Sequence, residues 1–372
     1  MVLGERGGDD DALGSQLAFD SGAATDTNGA APSGSPPSDA VATDAVVTDA
    51  VPATDVGPPL VPCTVPVPGP SKCPSGGCAV TVMATGLGLM AGALVDDGDG
   101  LLFGTNVGPP TFEGTIRRID KKTLAVTTLA TDTLPGYVVA TPTALFWSSR
   151  RPESVSTGVL KGRDRAGLAP IVTLVSERWI DGFAVMDDAV YFGERTVADA
   201  SSPKLMRVSA AGGPAEVVGP LVTRPVAAGA DIIAWRYGPG GASGELVRFS
   251  PATKLVTRLA SIPRSPSTPI VWSGGVAAWR FFGGIERACT NAPGSVVTIH
   301  DELDSTDPAF DPIVARDGWL YWATAKTISR VPLFGGGRVF VAEGAGDRVS
   351  SVAVDDDWLY FASAGTISRT PR

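Results

Sequence analysis

The stretch that decides the fold is "GWLYWATAKTISRVPLFGGGRVFVAEG", residues 318–344, and the chain repeats its pattern as "DWLYFASAGTISRTPR" at residues 357–372. Each copy has an apolar run that ends in a large aromatic residue, then a short loop, then a run that contains Thr-Ile-Ser-Arg. The second copy lacks the strand-length segment "RVFVAEG", residues 338–344, that completes the first. Self-similarity at a fixed interval indicates an architecture built from one repeated supersecondary unit.

Aromatic residues at intervals of 39 to 45 residues mark seven such units. They are Phe103, Trp147, Phe192, Trp235, Trp279, Trp322 and Phe361. Around each aromatic residue, short apolar segments alternate with turns rich in Asp and Gly, which is typical of antiparallel strands. Four strands in each unit, repeated radially, predict an all-β, seven-bladed β-propeller of four-stranded antiparallel blades over residues 78–372.

The seventh unit contains only three of the four expected strands. The segment "CAVTVMATGL", residues 78–87, resembles the fourth strand of the first unit, "LAVTTLATDTL", residues 124–134. We therefore expect residues 78–84 to pair with the last strand and to complete the seventh blade. This pairing would close the ring and cover sheet edges that otherwise promote aggregation.

The charge of the chain is concentrated at its N-terminus. Residues 1–60 contain ten of the 39 acidic residues and one of the 30 basic residues, which leaves 29 of each sign in the remainder. Rich in Ala, Asp, Pro and Ser, this segment is predicted to be a disordered acidic spacer. No basic stripe suits nucleic acid, and no apolar run is long enough for a transmembrane helix.

Residues 61–77 form a linker rich in Cys, Pro and Gly. Cys63, Cys73 and Cys78 favour one disulfide within this region, whose pairing the sequence leaves open, over fully reduced cysteines. Zinc binding is disfavoured because the spacing is irregular and no His lies nearby. We expect Cys289, far away in the body, to be a lone buried thiol.

The segment "LYWATAKTISRVPLFGG", residues 320–336, resembles the repeat of YWTD-type β-propellers, with Tyr321 and Trp322 on the first two motif positions. It is also similar to repeat propellers of secreted bacterial proteins. Ala323 and Thr324 replace the Thr-Asp half of the motif, so its acidic contact between blades is missing, and YWTD propellers have six blades rather than seven. The resemblance implies a propeller used mainly for binding and transfers no catalytic residue.

No cofactor, metal ion or catalytic residue is predicted. His300 is the only histidine, and the chain has no nucleophile elbow, zinc motif or phosphate-binding loop. The acidic stretch "VDDGDG" contains Asp96, Asp97 and Asp99, but it occupies the first turn of its unit. We interpret it as a turn rather than a calcium loop.

One face of the propeller is predicted to collect arginines. The loops between second and third strands are longer in the first four units, and they share a face with connections between units such as "SERWIDG", "PLVTRP" and "SIPRSPSTP". The candidate ligand-binding residues there are Arg150, Arg151, Arg178, Trp179, Arg195, Arg224, Arg236 and Arg264. Arginines beside an exposed aromatic residue suit carboxylate or sulfate groups, although solvated loop charge explains the same pattern.

Taken together, these features favour a monomeric, non-enzymatic propeller that binds a protein or an anionic ligand and is displayed through the acidic spacer. A hydrolase or lyase acting at the pore mouth and a purely structural surface protein are the alternatives. The cysteines favour an extracytoplasmic location, with the export signal outside this sequence, over a cytoplasmic one.

Overall fold

Every helix or strand element that this computed structural model describes is a β-strand, and turns and loops connect the strands. The described residues are 65, 67–69, 71–73, 77–90, 92–106, 112–151, 154–195, 203–219, 222–238, 243–264, 266, 268–281, 283–292, 294, 296–301, 313–324, 327–343 and 348–372. By its internal contacts the chain divides into residues 1–55 and 56–372, and all described residues belong to the second part. The domain boundaries proposed after residues 60 and 77 stay predictions.

Six antiparallel sheets contain these strands, and the first three repeat units occupy two of them. Unit 1 consists of β3 (Val95–Asp96), β4 (Gly100–Asn106), β5 (Glu113–Asp120) and β6 (Val126–Thr133), with β2 (Leu89–Met90) also paired to β4. Units 2 and 3 share a seven-stranded sheet of β7 (Pro135–Ala140), β8 (Ala144–Arg151), β9 (Ser154–Asp164), β10 (Val172–Met186), β11 (Ala189–Arg195), β12 (Lys204–Ser209) and β13 (Glu216–Gly219).

The other four units each form a separate four-stranded sheet. Unit 4 contains β14 (Val222–Ala228), β15 (Asp231–Tyr237), β16 (Gly244–Ser250) and β17 (Leu255–Ile262), and unit 5 contains β18 (Val271–Ser273), β19 (Val276–Phe281), β20 (Gly284–Cys289) and β21 (Val296–His300). Unit 6 contains β22 (Ile313–Arg316), β23 (Trp319–Ala323), β24 (Thr327–Pro332) and β25 (Val339–Glu343). Unit 7 contains β26 (Val349–Val354), β27 (Trp358–Ser363), β28 (Thr366–Pro371) and β1 (Thr81–Ala84).

Two of the predicted connections between units do join those units, but as strand and not as loop. "SERWIDG" lies in the middle of β10, where Arg178 pairs with Gly158 of unit 2 and the next residue, Trp179, pairs with Arg195 of unit 3. Most of "PLVTRP" lies in β14. The predicted long loop at residues 148–158 is also largely strand, since β8 and β9 continue to a pair between Arg151 and Ser154.

The predicted completion of the last unit by the N-terminal strand is confirmed. β1 pairs antiparallel with β28, with Thr81 opposite Arg369, Val82 opposite Ser368 and Ala84 opposite Ile367. The order within this sheet is β1, β28, β27, β26. The first strand of the chain therefore takes the place of the fourth strand that unit 7 lacks.

The periodic aromatic residues form the core of the units. Each of the seven has a relative exposure of 0% or 1%. Their neighbours along the second strands, such as Leu101, Val190 and Leu320, are equally buried. Burial of each of these side chains contributes roughly 1.5–3 kcal/mol to stability.

Hydrophobic packing joins each unit to the next. Six hydrophobic clusters among the described residues each combine two units that follow each other in the chain, from units 1 and 2 to units 6 and 7. One further cluster joins the last unit to the first, with Tyr360 and Ile367 of unit 7 packed near Leu101 and Phe103 of unit 1. Met83 of β1 belongs to the same cluster, so the N-terminal strand is packed as well as hydrogen-bonded.

The described residues between 65 and 80, here called the N-terminal strap, lie against units 5 to 7. Val65 packs on the cluster of units 5 and 6. The Trp319 indole donates to the carbonyl of Gly69 at 3.0 Å, and the Lys72 amide donates to the carbonyl of Arg372 at 2.6 Å. The segment expected to be a linker therefore includes a packed part of the fold.

The cysteines follow one expectation and contradict another. Cys73 and Cys78 form a disulfide in the N-terminal strap, as predicted for one pair among the first three cysteines. Cys289 is also disulfide-bonded, so the expected lone thiol is wrong. Sequence spacing did not reveal this bond, because a disulfide can join residues that are distant in the chain.

Ion pairs cross between units at one edge of the sheets, here called the turn edge, where each first strand ends. Lys121 of unit 1 contacts Asp96 of the same unit and Asp355 of unit 7, each at 2.6 Å. Arg165 of unit 2 contacts Asp97 of unit 1 at 2.7 Å. The acidic contact between blades that Ala323 and Thr324 do not provide is therefore supplied by aspartates of the first turns.

Asp355 is the most connected of these aspartates. Burial acts to raise its pKa, but hydrogen bonds from Lys121, from the Tyr360 hydroxyl and from two backbone amides lower it overall. A carboxyl whose pKa is lowered by folding stabilises the fold at pH values above its unfolded pKa. That contribution disappears as the pH falls through the folded-state pKa.

Replacing Asp355 by Asn should lower the free energy of unfolding at neutral pH by roughly 1–3 kcal/mol, because Lys121 loses a buried charged partner. The difference from the wild type should shrink as the pH falls below the ordinary aspartate pKa of 3.8, since the wild-type carboxyl is then protonated too. Denaturant titrations between pH 7 and pH 2 measure both effects. Asp99→Asn is the control, because the Asp99 side chain is 78% exposed; a pH-independent gap for Asp355→Asn would contradict this assignment.

Removal of residues 1–84 should destabilise the protein and make it aggregate, because the edge of β28 loses its partner and Met83 leaves the core. Loss of the buried methionine alone costs roughly 2–5 kcal/mol. Thermal unfolding and size-exclusion chromatography report the two effects, with removal of residues 1–60 as the control that keeps β1 and the N-terminal strap. Equal stability of the two truncated proteins would argue against closure by β1.

Candidate functional site

The predicted arginines lie at the opposite edge from the aspartates. This edge, here called the loop edge, is where the second strand of each unit ends. Arg150 and Arg151 end β8, Arg195 ends β11, and Arg236 is the penultimate residue of β15. Arg178 and Trp179 reach the same edge of the shared sheet because β10 pairs with both β9 and β11 there.

Arg150 and Arg178 face each other across a glycine. Arg150 lies opposite Gly158 of β9, and Gly158 lies opposite Arg178 of β10. Residues directly opposite in an antiparallel sheet point to the same face, so the two guanidinium groups flank a position without a side chain. The backbones of the two arginines are two strand spacings apart, about 10 Å. A Cβ atom at Gly158 would lie 3.0 Å from the Ser149 carbonyl oxygen, so backbone borders this position between the two cationic residues.

The two arginines differ in their partners. Arg150 is exposed and has no ion-pair partner among the described residues. The Arg178 side chain is 51% exposed and pairs with Glu194, whose side chain is 6% exposed. Glu194 fixes one side of the Arg178 guanidinium and leaves its outer N–H groups facing water. Arg178 is therefore oriented, while Arg150 is open to a ligand.

Trp179 extends this arrangement into unit 3. It lies opposite Arg195 and is 38% exposed, which is unusual beside core aromatics that are fully buried. The structure describes the backbones of Arg151 and Arg195 at this edge, but their side chains lie outside the described part. An exposed indole next to oriented arginine is a frequent combination in binding surfaces.

Arg224 has a different environment from the one predicted. Its backbone is left-handed, with φ of 51°, at an irregularity of β14 next to Pro225. The guanidinium donates to the carbonyl of Pro266 at 2.5 Å and to that of Thr268 at 3.0 Å. Arg224 thus connects the first strand of unit 4 to the segment that enters unit 5. This is the geometry of a structural arginine.

Arg236 and Arg264 are also engaged. Arg236 donates through Nε to Glu245 at 2.8 Å, and the same carboxylate forms an ion pair with Arg258 at 3.1 Å. Arg264 is exposed and lies over the Phe281 ring at 4.7 Å. A surface depression of about 390 Å³, lined in part by Glu245, lies at this edge of unit 4.

Two carboxyl groups near the loop edge have shifted pKa values. Burial raises the pKa of Glu286, against a hydrogen bond from the Trp279 indole and the charge of Arg264. Burial acts to raise that of Asp132 as well, but hydrogen bonds from Lys161, Ser149 and Trp147 lower it overall. Both carboxyl groups accept from a core tryptophan, which anchors the indole N–H without exposing it.

The remaining predicted features are structural in the described residues. The "VDDGDG" stretch is a turn, as predicted, with the Asp97 amide donating to Gly100 at 2.9 Å and Gly98 at φ of 73°. Asp97 is 5% exposed and accepts from Arg118 at 2.9 Å. His300 ends β21, the outer strand of unit 5, with its ring 5.1 Å from that of Trp322.

The sequence did not indicate the pairing of Arg150 and Arg178 with Gly158 or the carboxylate partners of Arg178 and Arg236. The signal for the pairing is the glycine that opens "GVLKGRD", but a glycine also begins the third strand in several other units. The partners Glu194 and Glu245 belong to neighbouring strands. Their contacts with the arginines depend on strand register, which a repeat alignment does not specify.

Comparison with known proteins identifies the fold. An oligogalacturonate lyase from Vibrio parahaemolyticus superposes with a TM-score of 0.54 at 12% sequence identity, covering 83% of this chain and 98% of the lyase. A catalytically inactive virginiamycin B lyase from Staphylococcus aureus, solved with quinupristin, gives 0.51 at 11% identity, covering 79% and 98%. A chain of the mitotic checkpoint complex gives 0.53 at 9% identity, covering 88% and 99%.

No protein-family model and no curated protein matches the chain. Structural similarity at these identities concerns the fold alone, and it is that of β-propeller proteins. The resemblance of residues 320–336 to YWTD repeats is therefore supported only at the level of the propeller fold. The described residues contain no helix long and apolar enough to cross a membrane.

The arginines of the loop edge should divide into two classes on substitution. Arg224→Ala should lower the free energy of unfolding by roughly 1.5–3 kcal/mol, because two buried carbonyl groups lose a charged donor. Arg150→Ala should change it by no more than about 0.5 kcal/mol, as expected for an exposed side chain without a partner. Urea unfolding of the two variants measures the difference, and equal effects would contradict the assignment of Arg224 as structural.

Proposed function

We propose that this protein is a non-enzymatic binding protein built on a closed, seven-bladed β-propeller. The blade count is supported by the hydrophobic clusters, which join each unit to the next and the seventh to the first among the described residues. It is also supported by contacts between successive first strands, including β26 with β3. The pairing of β1 with β28 supports closure.

The observation that carries the binding proposal is the pair Arg150 and Arg178 across Gly158. Gly158 places no side chain between the two cationic residues, and Glu194 orients one of them. Trp179 provides an adjacent apolar surface. Arg264 adds a further exposed guanidinium at the same edge, whereas Arg224 and Arg236 hold neighbouring strands and loops together.

The ligand class that suits this arrangement carries carboxylate or sulfate groups. Guanidinium groups bind such oxyanions through paired N–H donors, and an exposed indole packs on an apolar face of the same ligand. Outside residues 1–60 the chain has equal numbers of acidic and basic residues. Attraction of an anion therefore depends on where the arginines lie, since residues 61–372 have no net positive charge.

The chain is proposed to act outside the cytoplasm as a monomer, with residues 1–60 as an acidic spacer. The Cys73–Cys78 disulfide and the disulfide-bonded state of Cys289 support an oxidising compartment, since such bonds are rare in the cytoplasm. Each unit is joined to two neighbours by hydrophobic clusters, which favours a ring complete in one chain.

Binding of acidic polysaccharides tests the proposal. Polygalacturonate provides the carboxylate probe and heparin the sulfate probe, and titration calorimetry of the full chain measures affinity for each. We expect one of the two to bind, and Arg150→Ala combined with Arg178→Ala to weaken that binding at least tenfold, since both oxyanion contacts are lost. Circular dichroism verifies that the variant remains folded.

The matched control removes two positive charges from the turn edge, with Lys122→Ala and Lys254→Gln, both exposed side chains. This variant should bind like the wild type at the same ionic strength. Equal weakening by both variants would indicate non-specific charge attraction and contradict the site. Release of unsaturated or reducing sugar products from either probe would instead contradict the non-enzymatic part of the proposal.

A further inference from the structure

A buried arginine between units 6 and 7 has too few partners. Arg330 of β24 is 3% exposed, and its guanidinium lies over the Trp319 ring at 4.4 Å. One terminal nitrogen donates to the Ser71 hydroxyl of the N-terminal strap. Nε and the other terminal nitrogen are buried without a hydrogen-bond acceptor among the described residues. Buried donors without an acceptor are rare in folded proteins because they lose their hydration.

The Tyr321 hydroxyl, beside Arg330, is buried in the same way. It makes no hydrogen bond of good geometry to a described residue, yet the guanidinium groups of Arg330 and Arg372 are close to it. Burial raises the pKa of Tyr321, and close but poorly aligned hydrogen-bonding contacts with these two guanidinium groups, together with their charges, oppose that effect. Two arginines and a hydroxyl therefore converge on one point between the units.

The carboxylates near this point are already paired with other cations. Asp317 contacts Arg372 at 2.7 Å, and Asp356 contacts Arg316 at 2.5 Å. No ion pair connects Arg330 to a carboxylate among the described residues. Among the described residues the positive charge of Arg330 is thus balanced only by the face of the Trp319 ring and by no carboxylate, which is costly in a protein interior.

The next junction, between units 7 and 1, contains the same stacked arginine, whose Nε is also buried without an acceptor among the described residues, but there the tyrosine has a carboxylate partner. Arg369 lies over the Trp358 ring at 4.4 Å, and the Tyr360 hydroxyl donates to Asp355 at 2.7 Å. Lys121 of unit 1 binds the same carboxylate. The sequences match position by position, since Lys121 follows "TIRRID" in unit 1 as Arg372 follows "TISRTP" in unit 7.

One substitution between repeats accounts for the difference. Asp355 precedes Trp358 by three residues, and the residue three before Trp319 is Arg316. The junction of units 6 and 7 therefore has an arginine where the equivalent junction has its acceptor. Arg316 pairs with Asp356 instead, so Tyr321 receives no carboxylate.

We propose that the junction of units 6 and 7 binds one small inorganic anion of halide size between Arg330 and Tyr321, beneath the N-terminal strap. The anion takes the place of the missing carboxylate, accepting hydrogen bonds from the Arg330 guanidinium and the Tyr321 hydroxyl. A water molecule can accept the same bonds but does not neutralise the charge. Ser71 and Trp319 enclose the site, so a single-atom anion such as chloride fits better than a sulfate.

Crystals of the full-length protein soaked in sodium bromide test the site directly through anomalous scattering. We expect a bromide peak in contact with the two unsatisfied nitrogens of Arg330. Bromide at surface positions alone, an adventitious ion only, would overturn the proposal. So would a fully occupied water molecule at Arg330 in the presence of bromide.

Stability in solution gives a second test. Thermal unfolding is followed while chloride replaces gluconate, an anion too large for the enclosed site, at constant ionic strength. The melting temperature should rise with chloride and then saturate, by on the order of 2–4 °C, because the anion binds the folded state only. A melting temperature that does not depend on chloride would overturn the proposal.

The repeat comparison provides the decisive variants. Arg316→Asp restores the residue type found in unit 7 and should remove the dependence on chloride while the protein stays folded. Arg316→Met removes the same ion pair with Asp356 without adding a carboxylate, so its chloride dependence should equal that of the wild type. Arg330→Met should lose the dependence as well. Retention of full chloride dependence by Arg316→Asp would overturn the proposal even if Arg330→Met failed to fold.

Discussion

The main-chain pairing of β1 with β28 is the interaction on which the other features of the fold depend. Without it, the last sheet would present an unpaired edge, and Met83 would leave the cluster that joins unit 7 to unit 1. The N-terminal strap reaches β1 by crossing units 5 to 7, and the Cys73–Cys78 disulfide lies just before that strand. The pairing also covers an edge of β28 that could otherwise pair with another chain.

Electrostatic contacts at the turn edge reinforce the same region. Lys121 joins unit 1 to unit 7, and Arg316 joins unit 6 to unit 7. Ion pairs of this type contribute little when exposed, but Lys121 and Asp355 are largely shielded, with side-chain exposures of 11% and 19%. The junctions near the N- and C-termini thus receive polar support in addition to hydrophobic packing. The loop edge is where side chains such as Arg150 stay exposed.

The sequence predicts the fold well because its strongest signal is the residue that packs the core. Aromatic residues such as Trp147 and Trp322 recur at a nearly constant interval and are fully buried, so their spacing reports the unit directly. The likeness of residues 78–87 to residues 124–134 likewise located the closing strand. Both signals are local in sequence, which is why they are readable without a structure.

The candidate site was predictable only in part, because its chemistry depends on contacts between distant residues. Strand parity placed Arg150 and Arg178 at one edge, but the pairing across Gly158 requires the register of three strands. The role of Arg224 depends on carbonyl groups more than 40 residues away and on a left-handed backbone. The disulfide-bonded state of Cys289 and the packing of the N-terminal strap were missed for the same reason.

The pairing of β1 with β28 also imposes an order on biosynthesis. The ribosome releases β1 before any other described strand, and it releases β28 after all of them, so β1 has no strand partner until β28 has been synthesised. Units 1 to 6 can each form their hairpins as they emerge, whereas the contact of β1 with β28 must wait for unit 7. Contacts with so large a separation in sequence form slowly because of the entropy of loop closure. The backbone N–H and C=O groups of β1 therefore stay without their strand partner while units 1 to 6 are synthesised.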